Sequence, residues 1–115
     1  MTPLAQAIDE KRKHTRTDRT ILVRVAPQQD SGAAPQWTIV SSKNLSAGGL
    51  LFGFDRQLER GTPLYVRIHF PDRSIDCNAM VQRSSPGVMG PLTNVAISLK
   101  GLEKGEREFI RRFVA

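Results

Sequence analysis

The chain has 115 residues, 39% of them hydrophobic and 24% charged, the make-up of one ordinary globular domain with a single core. Seventeen Lys and Arg against eleven Asp and Glu leave a net charge of +6, so an anionic partner is expected, whether nucleotide, nucleic acid or membrane surface. No apolar run is long enough to span a membrane, residues 1–10 lack the basic start and apolar core of a signal peptide, and the single cysteine, Cys77, excludes an internal disulfide and a CxxC metal pair; a cytoplasmic protein is expected.

Residues 1–10 read as a tail in which Leu4, Ala5, Ala7 and Ile8 suggest a short helix with too little apolar surface to stand alone. It either docks on the rest of the chain or stays loose. Residues 11–20 are a basic arm with no hydrophobic period; residues 11–24 hold six of the seventeen Lys and Arg and one acid, a local charge of +5. Strand signals then recur at near-regular intervals. The first covers 21–25, with Val23 and Val25 inward and Arg24 outward. The second covers 37–43, after a Gly- and Pro-containing loop. The third covers 50–54, and the fourth 64–70, with Leu64, Val66, Ile68 and Phe70 inward.

A turn at 71–74 leads to a fifth strand at 75–83, in which Ile75, Cys77, Ala79 and Val81 face inward, so that Cys77 reads as a small buried residue. Residues 84–91 read as a loop and 93–99 as a sixth strand. Over 102–114 the period changes, placing Leu102, Phe109, Ile110 and Phe113 on one helical face, with an imperfect middle at Gly105. The expectation is an all-β fold, a six-stranded small antiparallel barrel over 21–99 closed by a C-terminal helix, forming a single domain over 11–115.

Two stretches carry chemistry. Asn44-Leu-Ser-Ala-Gly-Gly49 joins two apolar strands and reads as a tight connection with two polar side chains at its tip and glycines that admit a backbone or flat ligand. Upstream, Arg12 and Arg16 have three residues between them in Lys-Arg-Lys-His-Thr-Arg. The ordered pair Arg-x-x-x-Arg and Asn-x-Ser-x-x-Gly resembles the signature of the PilZ domain family, R-x-x-x-R followed by [D/N]-x-S-x-x-G. The resemblance runs over nearly the whole chain and implies a six-stranded barrel with a terminal helix and binding of cyclic di-GMP. It places Arg12, Arg16, Asn44, Ser46 and Gly49 in the ligand site.

Arginine suits such a ligand because its planar fork grips guanine or phosphate bidentately. Asn44 and Ser46 offer acceptors to the guanine N1 and N2 donors, and Asn where Asp is also allowed gives a weaker, uncharged acceptor. Gly49 is expected to let the base approach the backbone. Lys11, Arg19, Gly48 and Asn94 are secondary candidates. The residue before the first motif arginine, here Lys11, bears in this family on whether one ligand or a stacked pair is held. Many relatives carry a glycine pair around an aliphatic residue in the sixth strand, where this chain has Asn94-Val95-Ala96.

An enzyme is not expected. His14 and His69 have no spaced Cys, Asp or Glu partners that would form a metal or triad set, and no Walker or dinucleotide fingerprint is present; no metal and no cofactor are expected. A single-strand nucleic-acid barrel would need exposed aromatics interleaved with basic residues, whereas of seven aromatics the five Phe read as core. The remaining alternative is a protein-protein adaptor that has lost the ligand, although such members usually lack one motif half. The expectation is a cyclic di-GMP receptor acting on an unidentified protein partner, either as a monomer or as a ligand-linked homodimer.

Overall fold

The computed structural model describes residues 20–29, 32–42, 44–87 and 92–114. Six antiparallel strands close into a barrel in the order β1-β2-β3-β6-β5-β4. They are β1 (Ile21–Pro27), β2 (Thr38–Ser42), β3 (Gly49–Phe54), β4 (Pro63–His69), β5 (Ser74–Pro86) and β6 (Thr93–Lys100), followed by helix α1 (Lys104–Val114). This is the expected all-β barrel with a C-terminal helix.

Alternation decides which face of each strand enters the core. In β4 the inward Leu64, Val66 and Ile68 are buried, and Phe70 just beyond the strand is buried with them, while Tyr65 is exposed and Arg67 and His69 are partly so. Val23 and Val25 of β1 are buried and Arg24 is exposed, as read from the sequence. Cys77 points inward but is only half-buried. Its surroundings push the thiol up to about 11, first by desolvation and then through the charges of Glu106 and Asp76, so at neutral pH it is a protonated, inert group.

Most element ends fall within two residues of the sequence reading, but two features depart from it. Strand β5 runs on through Pro86, because Ser84, Ser85 and Pro86 stay in register with Val95, Asn94 and Thr93 after a bulge between Val81 and Arg83. That polar extension has no apolar alternation to announce it. The irregular residue of α1, Gly105, lies in its first turn rather than its middle.

The helix begins with half of a capping box: the Glu103 amide donates to Glu106 Oε1 at 3.0 Å, satisfying a donor that the helix itself cannot. Arg111 and Arg112 in the last turn suit the negative end of the helix dipole. Ile110 and Val114 join the same buried cluster as the strand residues. Phe70 meets both Phe109 and Phe113 edge to face, with centroids 4.9 Å apart in each case, contacts worth about 0.5–1.5 kcal/mol apiece beyond burial. The expected helical stripe therefore packs onto the barrel core.

Candidate functional site

The link from β2 to β3 is not a regular hairpin. Only Ser42 and Phe52 are in register across these two strands, whereas β3 pairs along its whole length with β6, from Gly49↔Ser98 to Phe54↔Thr93. Residues 44–48 form a compact turn that leads the chain into β3, which pairs with β6 from its first residue.

The turn is held by its own groups. The Ser46 amide donates to the Gly49 carbonyl at 2.9 Å, the Gly48 amide donates to Ser46 Oγ at 3.3 Å, and the Ser46 hydroxyl donates to the Gly49 carbonyl at 3.4 Å. At its root the Asn44 amide donates to Ser42 Oγ at 3.3 Å; among the described residues Ser42 is the only buried polar one. Leu45 is completely buried and anchors the turn in the core, so Asn44 and Ser46 on either side of it are left partly exposed. Among the described residues the Asn44 side-chain amide makes no hydrogen bond, which leaves its acceptor and donors for a ligand.

Gly49 has a packing reason to be glycine, independent of any ligand. A Cβ there would lie 2.2 Å from the Ile97 carbonyl oxygen of β6, far inside contact distance, so the missing side chain is demanded by strand packing. Gly48 is exposed, its Cβ position meets only Ser46 Oγ at 3.9 Å, and its carbonyl accepts from the Leu99 amide at 3.0 Å.

Asn94 is partly buried on β6 opposite Gly53, four residues along the strand from Ser98, the partner of Gly49. At about 3.3 Å per residue that is roughly 13 Å, so the turn's immediate neighbour is Ser98 and not Asn94. Ser98 Oγ accepts from Gln82 Nε2 at 2.7 Å. Neither Ser98 nor Gln82 was marked by the motif, because only the register of β3 with β6 puts Ser98 beside the turn, and Gln82 reaches it from β5.

Lys11, Arg12, Arg16 and Arg19 lie outside the described residues. The place where their segment joins the barrel is defined, however. The described chain starts at Thr20, and Ile21 is directly opposite Ser42 in the antiparallel β1–β2 ladder. The arm therefore leaves β1 at the same end of the ladder at which β2 runs into Asn44. Thr20–Ile21 and Ser42 therefore stand at one corner of the barrel.

His69, the outward histidine, places Nδ1 3.1 Å from Ser74 Oγ, and its buried Nε2 has no hydrogen-bond partner. Arg67 is held by Asp76 through Nε–Oδ1 at 2.7 Å and Nη2–Oδ2 at 3.2 Å; this bond keeps the Asp76 carboxyl below its usual range. Both lie on the β4–β5 face. Among the described residues no helix is long and apolar enough to cross a membrane.

Three solved structures share this architecture. The Bacillus subtilis inhibitor of motility (MotI/DgrA) superposes with a TM-score of 0.75 at 20% identity, over 90% of this chain and 49% of that one. This chain thus spans about half the length of that protein. The PilZ domain of CeSA from a cellulose-synthesizing bacterium gives 0.58 at 22% identity over 86% and 93%, and the PilZ domain with c-di-GMP of YcgR from Escherichia coli gives 0.66 at 10% identity over 90% and 88%. No curated protein matches the sequence. At these identities the structures establish the fold alone, but the PilZ domain family model matches residues 10–115, and the chain belongs to the PilZ domain family.

Proposed function

We propose that the chain is a receptor for cyclic di-GMP, in which an arginine arm and the Asn44–Gly49 turn grip the ligand from two sides of one barrel corner. The observation that carries this reading is the register Ile21↔Ser42, which roots both motif halves at the same end of the β1–β2 ladder. Arg12 and Arg16 supply forked donors to guanine or phosphate, and Asn44 supplies an acceptor to the opposite base edge. Lys11 and Arg19 add positive charge, and the exposed Gly48 admits a flat base over the backbone.

Asn44 and the two arginines are the discriminating residues, since Ser46 and Gly49 already have roles within the turn and the barrel. Asn94, four residues along β6 from Ser98, is a candidate contact for a different base from the one Asn44 meets, either the second guanine of the same ligand or a base of a stacked one. The chain acts as a receptor rather than an enzyme, in the cytoplasm, and signals when arm closure changes a surface read by a protein partner.

Isothermal titration calorimetry with cyclic di-GMP tests the reading, using GTP as a control and an Arg12→Ala/Arg16→Ala variant. Saturable binding at micromolar affinity or tighter, lost in the variant and absent with GTP, is the expected result, and the stoichiometry separates one ligand from a stacked pair. No heat and no rise in melting temperature at high ligand concentration would overturn it and leave an adaptor.

A further inference from the structure

Three of the exposed large hydrophobic side chains gather at one place, the outer side of the β2–β3 seam. Leu22 is 50% exposed, Ile39 59% and Leu92 51%, and together with Thr38, Ser41, Gly53 and Asp55 they line an open groove of about 400 Å³. Gly53 is part of its construction, because Leu92 lies over it with Cδ1 3.1 Å from the position a Cβ would take. The seam beneath is the weakest in the barrel. From Thr38 to Ser41 no residue of β2 is in register with β3, although each pairs with β1 on its other side. Beside Ile39 in that register stands Arg24, exposed and without an ion-pair partner among the described residues. The groove thus calls for aliphatic side chains followed by an acid.

We propose that residues 1–10 of this same chain, which lie outside the described residues, dock in this groove. Leu4 and Ile8, with Ala5 and Ala7, supply the aliphatic groups. Asp9 and Glu10 follow at once, and the segment contains no Lys or Arg, so its charge complements Arg24. The geometry of attachment favours it over a free partner. The described chain begins at Thr20, two residues before the groove-lining Leu22, and the ten residues from Glu10 to Thr20 can reach about 33–36 Å. A tether of this length gives an effective concentration in the millimolar range, so a contact of only millimolar intrinsic affinity is substantially occupied. The proposal does not depend on cyclic di-GMP binding.

The test is paramagnetic relaxation enhancement on the full chain carrying Thr2→Cys and Cys77→Ala, with a nitroxide at position 2 and labelled methyl groups. The reduced, diamagnetic spectrum verifies the fold. Broadening of the Leu22, Ile39 and Leu92 methyls at low micromolar protein is expected. It should be abolished by Leu4→Asp/Ile8→Asp, which alters nothing in the barrel, and fall at least twofold with Arg24→Glu. Absence of broadening at these methyls overturns the proposal and leaves the groove to an external partner. Broadening that develops only in a mixture of spin-labelled and methyl-labelled chains also overturns it, and assigns the groove to a second copy.

Discussion

Two adjacent glycines in the motif separate a packing requirement from a binding one. A Cβ on Gly49 would meet the Ile97 carbonyl oxygen at 2.2 Å, whereas one on Gly48 meets nothing closer than 3.9 Å, and neither residue has positive φ. Gly49→Ala is therefore expected to destabilise the barrel by about 1–3 kcal/mol as β3 is pushed off β6. Gly48→Ala should be neutral or stabilise by up to about 1 kcal/mol, because it removes freedom from the unfolded chain. Urea denaturation of the two variants distinguishes these outcomes, and equal midpoints would show that the approach of β3 to β6 is not the constraint. If Gly48→Ala, folded as the parent, also weakens cyclic di-GMP binding, the ligand lies on the exposed backbone of the turn.

Helix α1 shows how far local pattern reaches at the scale of one element. Its apolar face was legible from the spacing of Leu102, Phe109, Ile110 and Phe113, since a 3.6-residue period is written along the chain itself. Its start was fixed by a single contact across the first turn, Glu103 amide to Glu106 carboxylate. Gly105 meets nothing within 4 Å at the position of a Cβ. Gly105→Ala should thus raise stability by about 0.5–1 kcal/mol, while Glu106→Ala should lower it by a similar amount through the lost cap; thermal melts read both.

The strands follow the same logic: β4, with its clean alternation, was legible to within a residue. Strand β5 was read short because Ser84, Ser85 and Pro86 continue it only by pairing with β6, and pairing is not a local property. The site divides likewise. Asn44 and Ser46 stand in the motif and face outward, but Ser98 beside the turn is placed by register alone, and the reason for Gly49 is a carbonyl nearly fifty residues away.

For the whole molecule, the uneven seams of the barrel bear on how a ligand acts. One register pair joins β2 to β3, while β5 and β6 stay paired from Asn78↔Lys100 to Pro86↔Thr93. The β2 amides that point toward β3 should therefore exchange with solvent through local opening, at least tenfold faster than those between β5 and β6, which await global unfolding. Ligand binding to the native state alone adds about 2.7 kcal/mol to global stability at a hundred times Kd, and that gain is felt by every amide whose exchange requires an opening that releases the ligand. The turn joins the two strands at this seam, leaving β2 at Ser42 and entering β3 at Gly49. An opening that parts β2 from β3 must therefore distort the turn and release a ligand held there. Cyclic di-GMP should consequently slow exchange at the β2–β3 seam as well as at β5–β6. Hydrogen exchange followed residue by residue checks this, and slowing confined to the β5–β6 amides would mean that the seam opens without disturbing the bound ligand.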